Sequence, residues 1–325
     1  MLQSFRLLSS ACMTLAATLA IAAPALAADY PERPVNLIVG FPPGGGNDVL
    51  ARLVASQLQA DLGQPFVVEN RPGAQGFIAF GAVKNAAPDG YTLLIGPSSG
   101  MTVNPAIYRE LPYDAVKDFA PVSLIGEFPL VVTVHPTTPY QSLPELIEAA
   151  RQAPGAIDYA SAATSFQLAT EMFAQQAGVE FNHIPYKGSA QAVTAVLGQQ
   201  VPLTFADSAA VTAQIRDGSL RALAVTSRDR VSTLPDVPTV SEAGLPGFNI
   251  VLWSALFAPA GTPDDVIQTL QRSVAKAMKD PAMQERLASL GVIPVGSSSQ
   301  ALADTLSSQI EEYTQVAKTA KISVD

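Results

Sequence analysis

From Val35 onward the chain alternates short continuous apolar runs with stretches whose apolar residues recur every three or four positions. The first pattern predicts buried strands and the second amphipathic helices. Residues 35–39 read as a strand. Leu50, Leu53, Val54 and Leu58 then carry a helix that Asn47 or Asp48 caps and Gly63 stops. A strand over 66–69, a helix over 77–86 and a strand over 92–95 complete a β-α-β-α-β unit, the order of a parallel sheet. The alternation resumes with a strand over 130–134 and a helix that Ser142 caps and that ends near Ala153. Further strands are predicted at 157–160, 183–185, 201–205 and 222–225, and helices at 168–177, 190–197 and 211–217. Two amphipathic helices, 264–279 and 301–320, close the chain. No repeat and no low-complexity stretch interrupts it.

Two extended apolar stretches, 128–134 and 249–258, are suited to crossing between lobes. They predict a discontinuous first lobe, 29–129 plus 250–325, and a second lobe, 130–249. The length of 325 residues agrees, since a domain takes roughly 100–200 residues.

Composition removes several classes of function. With 28 acidic against 19 basic residues and a net charge of -9, the chain lacks the clustered Lys and Arg that nucleic acid requires. One Cys and two His exclude a disulfide scaffold and argue against a Cys or His metal site, so no metal and no cofactor is expected. Arg6, an apolar stretch over 15–23 and the closing Pro24-Ala25-Leu26-Ala27 read as a secretory signal peptide over 1–27, cleaved after about Ala27. Cleavage would remove Cys12 and Arg6, leaving a mature chain without a thiol and one unit more acidic.

Three loops carry candidate chemistry. Phe41-Pro42-Pro43-Gly44-Gly45-Gly46-Asn47-Asp48 follows a strand and opens a helix, so its amides and the helix dipole suit a carboxylate or phosphate. It lacks the Lys of a phosphate-binding P-loop, and a plain glycine turn is the alternative. Gly96-Pro97-Ser98-Ser99-Gly100 matches the Gly-x-Ser-x-Gly elbow of serine hydrolases, with His135 and His183 downstream. Against that reading, Met101 to Pro105 is a poor start for the helix an elbow needs. Ser161, Thr164, Ser165, Tyr186, Lys187 and Asp207 all fall just past predicted strands, where open α/β sheets bind ligands. Trp253 and Phe257 read as packing residues of a core or hinge.

The segments YPERPVNLIVGFPPGGGNDVLARLVA, VVENRPGAQG, APDGYTLLIG, IPYKGSAQAV, LRALAVTSRDR, LPDVPTVSEAGLPGF and FAPAGTP occur in that order. Together they resemble the periplasmic solute-binding proteins of the tripartite tricarboxylate transporter, or Bordetella uptake gene, family. The resemblance implies an α/β, two-lobed class II periplasmic-binding fold with a hinge. It implies no catalysis, a small mono- or dicarboxylate ligand, aromatic acids included, and delivery to membrane transporter subunits, or to a sensor protein, from a monomer in the periplasm. It places the ligand among Phe41, Pro43, Gly44, Gly45, Gly46, Asn47, Ser98, Ser99, Ser161, Thr164, Ser165, Gln167, Tyr186, Lys187 and Asp207. In Ser161-Ala162-Ala163-Thr164-Ser165-Phe166-Gln167 the family's usual glycines and His are missing, which points to a more apolar wall there and to a mono- or dicarboxylate with an apolar or aromatic body rather than a small hydroxy-acid. The alternative is a secreted hydrolase with Ser98 as nucleophile.

Overall fold

The run VNLIV leaves only Asn36 to face water, and Val35–Val39 forms a strand, β1, at the heart of one half of the molecule. The computed structural model describes residues 30–44, 46–186 and 188–323. The segment 1–27, Gly45 and Lys187 lie outside the described residues. After β1 come α1 (Gly46–Leu62), β2 (Phe66–Asn70), α2 (Phe77–Lys84) and β3 (Thr92–Pro97). A single π turn, Ser99–Val103, and a short helix, α3 (Asn104–Ile107), follow β3. Met101 to Pro105 is therefore helical, contrary to the sequence expectation; Pro105 supplies no N–H to the preceding π turn, and the Gly100 carbonyl in that turn accepts from the Tyr113 hydroxyl instead.

Next are β4 (Phe119–Val134), α4 (Leu143–Gln152), β5 (Asp158–Ser161), α5 (Thr164–Ala177) and β6 (Asn182–Pro185). They are followed by α6 (Ser189–Leu197), β7 (Leu203–Asp207), α7 (Ser208–Arg216) and β8 (Arg221–Val225). The chain ends with β9 (Val251–Pro259), α8 (Asp264–Lys279), α9 (Pro281–Ser289), β10 (Ile293–Pro294) and α10 (Ser299–Thr319).

The strands run β2-β1-β3-β9-β4-β7-β5-β6, with β8 and β10 also paired to β4. β1 is parallel to β2 and β3, and β5 is parallel to β6 and β7. β9 runs antiparallel to both β3 and β4. The fold is thus α/β, as the alternating pattern predicts.

β4 joins the two ends of this order. Its first part, Phe119 to Pro129, pairs with β9, and its last part, Leu130 to Val134, pairs with β7 and β8. The sequence predicts only the last five residues as strand. Register shifts between Pro121 and Ser123 and between Leu124 and Gly126 let the strand absorb Pro121 and Gly126 as bulges.

Apolar side chains fill separate cores on either side of this crossing. Leu37, Leu93 and Leu256 pack with Leu50, Val54 and Leu58 of α1 and with Leu270 and Val274 of α8. Val132, Tyr159 and Phe205 pack with Leu146 of α4 and Phe173 of α5. α10 touches both: Leu302 and Leu306 lie in a core with Phe80 and Trp253, while Tyr313, Val316 and Ala317 join the core of β5 and α5. At about 1.5 Å per residue this helix is long enough to strap the two regions together. Helix α9 was not expected from periodicity; its Asp280 accepts the Met283 N–H at 2.9 Å, and Pro281 opens its first turn.

Candidate functional site

The carboxyl ends of β1, β3, β5 and β7 open onto one cavity of about 630 Å³. Phe41, Pro97, Ala162 and Asp207 represent those four strand ends in its wall, and Phe128, Leu252, Trp253 and Ser254 close it from β4 and β9. Such a place, past the ends of parallel strands, is where α/β sheets leave room for a ligand.

Four helices begin at this cavity. Gly46 and Asn47 of α1, Ala163 and Ser165 at the start of α5, Gly188 and Ser189 at the start of α6, and Ala209 and Ala210 of α7 all line it. The first turn of each helix leaves N–H groups without intrahelical partners and carries partial positive charge. Among the described lining residues there is no Lys or Arg, so positive potential comes from backbone ends and neutral donors.

The loop before α1 is held from behind. Asp48, 3% exposed, accepts the Gly44 N–H at 2.9 Å, Arg52 Nε at 3.0 Å and Asn70 Nδ2 at 2.9 Å. Asn70 Nδ2 also donates to the Phe41 carbonyl at 3.0 Å, tying the loop to the end of β2. The Arg52 hydrogen bonds hold the Asp48 carboxyl at about 2, with Gly44 and Asn70 assisting against burial. The Gly44 N–H, expected to meet a ligand, is therefore already engaged, and Pro43 and Gly44 lie outside the cavity wall. Asn47 reaches the wall with its Oδ1 accepting from the Ser254 hydroxyl, which leaves its amide N–H groups for an anion.

Ser98 is 1% exposed, and its Oγ accepts the Trp253 N–H at 3.1 Å. Neither histidine accompanies it: His135 Nδ1 meets Thr137 Oγ1 at 2.7 Å, and His183 Nε2 meets Ser161 Oγ at 2.7 Å. Burial lowers the His183 pKa. Ser98 thus braces β3 against β9, while Ser99 also lines the cavity.

Of the other sequence-predicted residues, Ser165 and Asp207 line the cavity. Ser161, Thr164, Gln167 and Tyr186 do not; Ser161 is buried on His183, and Thr164 and Gln167 fall in the first turn of α5, which starts earlier than its apolar periodicity suggests. Asp207 is half-buried, with Ser189 Oγ donating to its Oδ2 at 2.6 Å. Burial raises its pKa, and the Ser189 bond opposes that shift. Sequence reasoning missed Gln75, Asn104, Phe128, Leu252 and Leu290 in the wall. Gln75, two residues past Gly73, holds a φ of 56° that no pattern in the sequence announces. Trp253 is both core and wall, 1% exposed, with Nε1 donating to Gln309 Oε1 at 2.7 Å. Among the described residues no group of three His, Cys, Asp or Glu is placed to hold a metal ion.

A family model described as the tripartite tricarboxylate transporter family receptor matches residues 50–322. The chain belongs to this receptor family. It is 41% identical over 305 residues to Protein BugT of Bordetella pertussis, covering 93% of this chain and 94% of that one. Among solved structures, Rpa4515 of R. palustris with adipate shares 36% identity at a TM-score of 0.76, covering 90% of this chain and 99% of its own. The periplasmic binding protein BugD shares 35% identity at a TM-score of 0.72, again covering 90% and 99%. The fold of this receptor is therefore that of the periplasmic solute-binding proteins, and the family is one of receptors rather than enzymes. The hydrolase reading of Ser98 falls with that finding and with the pairing of both histidines elsewhere.

Proposed function

We propose that the protein captures a small organic carboxylate in the periplasm and hands it to membrane transporter subunits. The observation that carries this reading is the convergence of four helix starts on one cavity without a lining Lys or Arg among the described residues. A carboxylate there meets backbone N–H groups, the Asn47 amide and the Ser99 hydroxyl, the donor set that suits an anion at helix N-termini. The adipate held by a relative at 36% identity supports the same ligand class.

In this reading the lobes are 29–129 plus 250–325 and 130–249, and β4 and β9 form the hinge, because the main pairing of β4 changes from β9 to β7 and β8 at Pro129 and Leu130. Closure of the lobes brings α5 and α6 toward α1 and drives water from the cavity. Trp253, the one tryptophan of the chain, reports the event, since it lines the cavity. Titration with mono- and dicarboxylates should give a saturable change in its fluorescence with no chemical conversion of the ligand. Turnover of an ester substrate, or fluorescence indifferent to every carboxylate, would contradict the proposal.

A further inference from the structure

The apolar part of the cavity wall has a geometry of its own. Phe128 of β4 and Leu252 of β9 are register partners, so their side chains stand together where the strands cross. Phe166, in the first turn of α5, faces the same space from the other end of the strand order, and Leu290, just past α9, closes it further. Phe128, Leu252 and Leu290 all stay partly exposed beside the cavity, a condition a folded chain keeps where a ligand covers such surface.

The apolar wall begins where the anion-binding donors end. A methyl group placed on Gly46, the first residue of α1, would stand 3.9 Å from Phe128 Cε1. A carboxylate at the start of α1 therefore has its carbon body beside the Phe128 ring. The far end offers no described cation for a second carboxylate; the acid Asp207 lies there instead.

We infer that the ligand is an aryl carboxylate, with its carboxylate at the start of α1 and at Ser99 and its ring between Phe128 and Phe166. This rests on the carboxylate-receptor reading and narrows it. An aromatic ring between two such walls gains from edge and offset contacts that a flexible chain cannot match without loss of rotamer freedom.

Calorimetric titration of the whole mature protein with benzoate, 3-phenylpropanoate, hexanoate and adipate tests it. The better aryl acid should bind about tenfold tighter than either aliphatic acid, the scale at which apolar pockets discriminate. Phe166→Leu and Phe128→Leu, each shown folded by its unfolding transition, should shrink that preference to about threefold or less while still binding hexanoate. Hexanoate or adipate bound as tightly as the aryl acids by the unaltered protein would overturn the inference and leave the carboxylate reading standing. So would an aryl preference intact in both variants. Binding of none of the four acids would overturn both.

Discussion

Replacing Asp48 by Ala tests how the receptor holds the loop before α1. The carboxylate accepts from Gly44, Asn70 and two nitrogens of Arg52, with its own side chain 4% exposed and that of Arg52 53% exposed. A net hydrogen bond contributes about 1 kcal/mol and a buried donor left unmatched costs about 1–3 kcal/mol, so losing the Gly44 and Asn70 bonds amounts to about 2 kcal/mol. The Arg52 pair adds about 1 kcal/mol, discounted because solvent reaches the guanidinium. A total of about 3 kcal/mol should lower the unfolding midpoint by about 4–5 °C in a chain of this size. Affinity for carboxylate should fall as well, since Phe41 loses its tie through Asn70.

The pH dependence gives that prediction its sign. Asp48 is lowered from 3.8 to about 2, chiefly by the hydrogen bonds of Arg52, so its ionised form stabilises the folded state. That contribution is complete above the ordinary 3.8 and disappears as pH falls through about 2. Denaturant titrations of the native and Asp48→Ala proteins should therefore differ by a constant amount from neutrality down to mild acid. The gap should narrow by about 1–2 kcal/mol on further acidification, allowing for solvent around Arg52. A gap that stays constant or widens into strong acid would refute the assigned role of the ionised carboxylate, and an unchanged midpoint at neutrality would refute the whole network.

Two further substitutions probe the braces around the cavity. Gly100→Ala places a methyl 2.1 Å from Cζ of Phe80, a ring that is 1% exposed and stacked on Tyr113 at 4.7 Å, so thermal unfolding should show a loss of about 1–3 kcal/mol. Ser98→Ala removes the acceptor of the Trp253 N–H and should cost about 1–2 kcal/mol by the same measurement. A fluorophosphonate should leave Ser98 of the native protein unlabelled, and labelling there would revive the hydrolase.

The strands of the first half were legible because each carries a short, mostly apolar run, as in VNLIV, and α8 because Val266, Leu270 and Val274 keep helical spacing between acidic first-turn and basic last-turn residues. β4 was legible only in part: bulges at Pro121 and Gly126 belong to its pairing with β9 and leave no local trace. In the site, Asn47, Ser99 and Asp207 were accessible to reasoning because each sits at a strand end or helix start. Phe128 and Leu252 were not, since only their cross-strand register puts them side by side. Gly44 shows the converse limit. Its sequence context marks it as an amide donor, and the fold directs that amide to Asp48.

The central claim is that a carboxylate is held by helix starts and neutral donors of one cavity. A crystal structure of the receptor with a bound aromatic or aliphatic acid tests it most directly. Carboxylate oxygens should lie within hydrogen-bond distance of N–H groups at the start of α1 and of the Ser99 loop, with the carbon body toward Phe128. A carboxylate pointed at Asp207, or a ligand seated in another cavity, would contradict it.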